Sequence, residues 1–219
     1  MHTLIQRRFF KSDYGRLFDL VPHDTSALIG RDKYCVAIAA YFGGVDGVDH
    51  SNEFAAELLI ESALSNYVPA TGALLSLFDW HIERSRQDVH HLLGDDQLKK
   101  LVAASSAGET EATYWVAKMI LQGDRLKKSR VRGLDLFGFI ATPSRPCYCY
   151  EYGEILQSAG TAKGKSQAIH YYYAAASMGD VRALKCVERE LSTGSDRFPY
   201  APRLAHYWSN VSPRDTNGV

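Results

Sequence analysis

Apolar residues recur along most of this 219-residue chain at the three- and four-residue spacing that gathers them on one side of a helix. Val116, Met119, Ile120 and Gly123 share one such face, and Leu58, Leu59, Ser62 and Ala63 share another. The alternating pattern of a half-buried strand competes nowhere along the sequence. The periodicity predicts two interleaved series of helices. First helices fall near 33–42, 69–80, 110–122, 147–158 and 180–192, and second helices near 52–65, 95–107, 131–142, 165–177 and 200–210. A further helix is expected over 3–20, with Leu4, Ile5, Phe9, Leu17, Phe18 and Leu20 as its apolar positions.

The two series are in register. Asn66, Gly108, Arg145 and Gly179 each end a second helix, at spacings of 42, 37 and 34 residues, and each is followed four positions later by Ala70, Ala112, Cys149 or Ala183. Four positions before each stop stands another small residue: Ser62, Ala104, Ala141 or Ala175. Small residues there allow helices to approach closely, while Gly or Asn at the stop accepts the left-handed conformation of a helix end. Arg145 departs from that chemistry, but Pro143 and Pro146 flank it and end the helix by another route. A third register marks the turn inside each pair. Gly123, Gly160 and Gly194 lie eleven residues after the leading small residue; Gly44 fills that place in the first copy and His81 in the second. A unit of this length cannot bury its apolar face alone, so copies must stack. The sequence therefore predicts an all-α chain, an α-solenoid of about five helix–turn–helix repeats. Residues 1–32 would form an N-terminal capping helix and linker, 33–210 the repeats, and 211–219 a disordered tail.

The segments Ala112-Thr-Tyr-Trp-Val-Ala-Lys-Met-Ile-Leu-Gln-Gly123 and Ala168 to Ala183 resemble Sel1-like repeats, which are related to tetratricopeptide repeats. The resemblance covers roughly 33–210. Ala117, Glu154 and Glu188 stand where the family has the Gly of its Leu-Gly pair. The resemblance implies a right-handed superhelix whose first helices line a concave face that binds proteins or peptides, in members that act as adaptors, often in bacteria. Its concave positions correspond here to Glu111, Tyr114 and Lys118 in the third copy. They correspond to Tyr148, Glu151 and Ile155 in the fourth, and to Arg182, Lys185 and Arg189 in the fifth. The last three have i, i+3, i+7 spacing, so they are expected on one helical face, where three cations could grip a carboxylate-rich segment.

Charge alters this picture only in distribution. Lys and Arg together number 25, as do Asp and Glu, so no global field draws the chain to nucleic acid or anionic lipid. Residues 1–111 carry 10 basic against 16 acidic side chains, and residues 112–219 carry 15 against 9. That asymmetry fits an oriented charged partner, head-to-tail self-association, or simple sampling along a long chain. The expected partner is a protein or peptide, without nucleic acid or membrane, and the oligomeric state is left open. No stretch approaches the roughly 20 apolar residues of a membrane span, and Arg7 and Arg8 interrupt the place of a signal-peptide core. A cytoplasmic protein is expected.

Candidate chemistry adds little. Cys147 and Cys149, two positions apart on a helix, point roughly 200° from one another and make a poor chelate. Cys35 and Cys186 supply no second pair, so buried thiols are expected. Tyr171, Tyr172 and Tyr173 are consecutive and cannot share a face, so at least one belongs to the core. His90 and His91 lie in a charged connection from His81 to Asp95, with Glu83, Arg84, Arg86 and Asp88, that sets the second copy apart. Its insertion could carry specificity. The chain has no Gly-x-Ser-x-Gly, phosphate loop, His-Glu-x-x-His or Ser-x-x-Lys sequence. No catalytic residue, cofactor or metal is expected. The leading reading is a binding scaffold or adaptor. An immunity-type inhibitor that blocks a toxin is the alternative, followed by an enzyme built from scattered residues.

Overall fold

A computed structural model of the chain describes residues 1–22, 25–43, 52–78, 87–195 and 198–211. All regular structure among the described residues is helical. The chain divides into two compact units, one formed by 1–9 with 14–140 and the other by 10–13 with 141–219.

The first unit holds α1 (His2–Phe10, whose last residue belongs to the second unit), α2 (Tyr14–Phe18), α3 (Gly30–Gly43) and α4 (Asn52–Leu64). It continues with α5 (Val68–Ala73), α6 (Asp95–Ser106), α7 (Thr110–Gln122) and α8 (Arg130–Ile140). Helices α3 and α4 pack as a pair, as do α7 and α8, while α5 meets α4, α6 and α7. The pairs thus stack on their neighbours in chain order, as in an α-solenoid. Two aromatic side chains fasten α3 to α7. The Trp115 indole Nε1 donates to the Tyr34 hydroxyl at 3.0 Å, and both residues are buried. Gly72 on α5 fits against this tryptophan, because a Cβ there would lie 2.8 Å from the Trp115 Cβ. Buried Asp32 joins α3 to α1 by pairing with His2 and by accepting from Gln6 Nε2 at 3.2 Å.

The second unit holds α9 (Pro146–Ser158), α10 (Ala162–Ser177), α11 (Val181–Thr193) and α12 (Pro202–Val211). Here α9 packs on α10, α10 on α11, and α11 on α12. Local chemistry sets the boundaries. Pro146 opens α9, the Thr161 hydroxyl accepts from the Gly164 N–H at the start of α10, and the Asp180 carboxylate accepts from the Ala183 N–H at the start of α11. Of the three consecutive tyrosines, Tyr172 is the core residue. It is fully buried, and its hydroxyl donates to the Glu154 carboxylate at 2.6 Å. Tyr171 stacks edge-on against Tyr152, and Tyr173 packs against Phe198 and Trp208.

The registers have a backbone signature. The stops Asn66, Gly108 and Gly179 have φ of 61°, 89° and 85°, and the turn glycines Gly123, Gly160 and Gly194 have 80°, 69° and 70°. Arg145 keeps φ at −135°, within the extended range that the following Pro146 favours. In the small-residue register Ser62 and Ala175 are buried, whereas Ala104 and Ala141 are half-buried and Ala141 lies just past the end of α8.

Three expectations need correction. The helix expected over 3–20 is two helices, broken where Ser12 turns left-handed at φ 52°. Tertiary bonds override helix propensity there: the Lys11 carbonyl accepts from the Val181 N–H at 2.9 Å, and the Ser12 hydroxyl donates to Asp180 at 2.6 Å. The helix expected over 69–80 ends as α at Ala73 and continues through Leu74–Phe78 as a π turn, with Leu74, Leu75 and Phe78 all buried. The connection before α6, expected to be irregular, contains a 3₁₀ segment over Gln87–Leu93. Gly44, His81, Glu83, Arg84, Arg86 and residues 212–219 lie outside the described residues, as does the side chain of Asp88. No helix among the described residues is long and apolar enough to cross a membrane.

Candidate functional site

The nine positions expected on the binding face fall into two groups, one in each unit. In the first unit, α7 carries Glu111, Tyr114 and Lys118. Glu111 is buried and forms an ion pair with Arg31 of α3. Burial alone would disfavour the Arg31 charge, but the adjacent Glu111 carboxylate outweighs that cost and holds the guanidinium pKa above its ordinary value. Tyr114 is buried between Trp115 and Phe137, with ring centroids 4.8 and 5.6 Å away. Lys118 is half-buried, its Nζ 5.2 to 5.7 Å from the ring centroids of Tyr114, Phe42 and Trp115. It also donates to the Tyr114 hydroxyl at 3.2 Å. The ammonium is thus fixed by three aromatic faces.

In the second unit the structure brings Glu151 and Arg182 together and leaves Lys185 and Arg189 outside. Arg182 sits in the first turn of α11, beside the cap residue Asp180. Its Nε donates to the Ser12 hydroxyl at 3.0 Å, and its terminal nitrogens reach Glu151 and the Cys147 carbonyl, each at 3.4 Å. The guanidinium also lies over the Tyr150 ring, 4.7 Å from its centroid. Asp180 is buried, and desolvation is the leading influence on its carboxyl, raising its pKa against the opposing pull of Arg182 and its hydrogen bonds. Tyr148 is buried with its ring edge-on to Phe10 at 6.0 Å, and Ile155 is half-buried on α9.

The expectation of three cations on one open face is therefore corrected to two. Arg182 is held inside a polar cluster, while Lys185 and Arg189 are exposed on α11. Lys185 makes no ion pair among the described residues, and Arg189 donates to Glu190 at 3.2 Å. Glu111, Tyr114 and Tyr148, also expected on the binding face, are packed within their units against Arg31, Phe137 and Phe10, which other helices supply. The sequence singled out none of these, nor Phe42, which faces Lys118, nor Ser12 and Tyr150, which meet Arg182. The only available signal was indirect: a charged residue expected in a tightly packed helix requires a countercharge, but its position depends on long-range stacking.

All four cysteines are buried free thiols. Burial holds the Cys147 thiol well above its ordinary pKa and pushes Cys149 up to about 11, so both are protonated thiols near neutral pH, which disfavours nucleophilic attack. Among the described residues no group of three or more His, Cys, Asp or Glu side chains is placed to hold a metal.

No family model matches the chain, and no curated protein matches it. Among solved structures, its fold is similar to the crystal structure of a Sel1 repeat protein from Oxalobacter formigenes, with a TM-score of 0.52 at 15% sequence identity, over 95% of this chain and 78% of that one. The stacked helix pairs read from the sequence thus have a solved counterpart at the level of fold, and the chain is an α-solenoid similar to Sel1 repeat proteins.

Proposed function

We propose that this protein is a non-catalytic scaffold that binds a protein or peptide, and that the α11 face carrying Lys185 and Arg189 grips an acidic segment of that partner. The observation that carries the reading is the division of labour on α11. Arg182 is committed to Ser12, Glu151 and the Cys147 carbonyl, whereas Lys185, three residues on, is exposed and uncommitted. Arg189 extends the same exposed row one turn further, and its planar fork suits a carboxylate. Charged rim contacts of this kind govern encounter rate and salt sensitivity more than they govern fold. Glu151 and Ile155 lie half-buried on α9 as further contact positions, and Lys118 offers a pre-fixed cation in the other unit.

The test is the double variant Lys185→Glu, Arg189→Glu, with Arg182 left in place because it holds the buried cluster. Affinity for the partner captured from native cells should fall by about tenfold or more, with an unchanged melting temperature. Equal affinity for the double variant and the parent chain overturns the assignment to this face.

A further inference from the structure

A cavity of about 330 Å³ opens in the first unit where the end of α4 and the start of α5 meet the 3₁₀ segment Gln87–Leu93 and α6. Its size is at the lower end of small-ligand sites. Leu64, Val68 and Leu92 supply an apolar part of the wall, and Leu92 is buried. The polar part is the buried Thr71 and four longer side chains, Asn66, His91, Gln97 and Lys100. None of these four side chains makes a hydrogen bond or ion pair among the described residues. The lining contains one cation and no Asp or Glu.

That combination selects a ligand. The Lys100 ammonium has donors and no acceptor, and the Asn66 and Gln97 amides and the His91 ring can all donate alongside it. A group bearing one negative charge and several acceptor lone pairs satisfies them together. A phosphate dianion is a poorer match, since sites for it recruit two or more cations, an arginine fork or a run of backbone N–H groups. The aliphatic wall in turn calls for a carbon body next to the charge. His91 and Leu92 come from the connection that sets the second copy apart from the others, and the proposal stands independently of the α11 face. We infer that this cavity binds an aliphatic carboxylate, with Lys100 as its counter-ion and Asn66, His91 and Gln97 as its hydrogen-bond donors.

Such a carboxylate could be the end of a peptide or a free short-chain acid, and the experiment separates them. The full chain is titrated with N-acetyl-leucine, N-acetyl-leucinamide, a hexapeptide ending in leucine with a free or an amidated terminus, and inorganic phosphate. Binding is followed by two-dimensional amide NMR. The free acids should shift the side-chain amides of Asn66 and Gln97 and the backbone of 91–100, and both amides should bind at least about tenfold more weakly. Binding by the acid hexapeptide alone assigns a peptide terminus, and binding by N-acetyl-leucine as well assigns the carboxylate itself. Lys100→Gln, at an exposed position, should weaken the acids about tenfold with an unchanged melting temperature. Equal binding of acid and amide, tighter binding of phosphate, no binding of either acid, or an indifferent Lys100→Gln overturns the proposal.

Discussion

Asp180 illustrates how a buried charge is tolerated in this chain, and what it costs. One carboxylate oxygen accepts the Ala183 N–H at 2.8 Å and caps α11, and the other accepts the Ser12 hydroxyl at 2.6 Å. Arg182 stands nearby, 4.0 Å from that second oxygen. Desolvation nevertheless dominates and raises the carboxyl pKa. The folded state therefore holds a proton on Asp180 at pH values where the unfolded chain has released it. Between the ordinary carboxylate value and the raised one, stability must fall as pH rises. Asp180→Asn removes this titration but keeps an oxygen for the cap. The stability of the parent chain relative to Asp180→Asn should therefore grow as pH is lowered through that acidic window, then level off below it. Denaturant midpoints of the two proteins measured from neutral pH to below the ordinary carboxylate value provide the test, and a pH-independent difference would count against a raised carboxyl. Asp180→Ala, which loses the cap and leaves Arg182 with one carboxylate fewer, should cost about 1–3 kcal/mol at neutral pH.

Helices here approach one another more closely than ordinary side chains allow, and Gly72 is the clearest case. A Cβ at this position would meet Trp115 Cβ and Cγ at 2.8 and 2.9 Å and Leu101 Cδ1 at 3.0 Å. The tryptophan cannot swing away, because its Cβ is tied to the α7 backbone and its indole is bonded to Tyr34. Gly72→Ala gains at most about 1 kcal/mol of helix propensity. Overpacking costs about 1–3 kcal/mol, so the variant should unfold at a lower temperature in a thermal melt; a gain in stability would mean that α5 and α7 are further apart. Gly72 was not legible in the sequence, where a glycine inside an expected helix reads as a weak spot rather than as a contact. The helix series itself was legible because its signals are local. Prolines, capping side chains and left-handed stops at Asn66, Gly108 and Gly179 act within a few residues of the end they mark. The break at Ser12 and the partners of Glu111 and Arg182 were not legible, since they are fixed by residues 31 to 170 positions away. Spacing placed Arg182, Lys185 and Arg189 on one helix face but carried no information about which of them a neighbouring helix would occupy.

At the scale of the whole molecule, stability in an α-solenoid is a sum of unit and nearest-neighbour contributions rather than the property of one shared core. Each of the two units carries its own set of stacked pairs, with Trp115, Tyr34 and Phe137 fully buried in the first and Tyr172, Ala175 and Phe198 in the second. A defect introduced in one stack should accordingly be felt most strongly by its immediate neighbours. Ala175 provides the site for such a test: it is fully buried on α10, four residues before the stop at Gly179. Ala175→Leu adds three carbons at a fully buried position and should destabilise by about 1–3 kcal/mol. Native-state hydrogen exchange reads where that loss is distributed. Amides of α9, α10 and α11 should exchange faster by roughly 5- to 150-fold, which is that energy converted at 25 °C, while those of α3 and α7 keep most of their protection. Equal acceleration in all helices would show instead that the chain opens as one cooperative body. An unchanged exchange pattern would remove Ala175 from the packing register altogether.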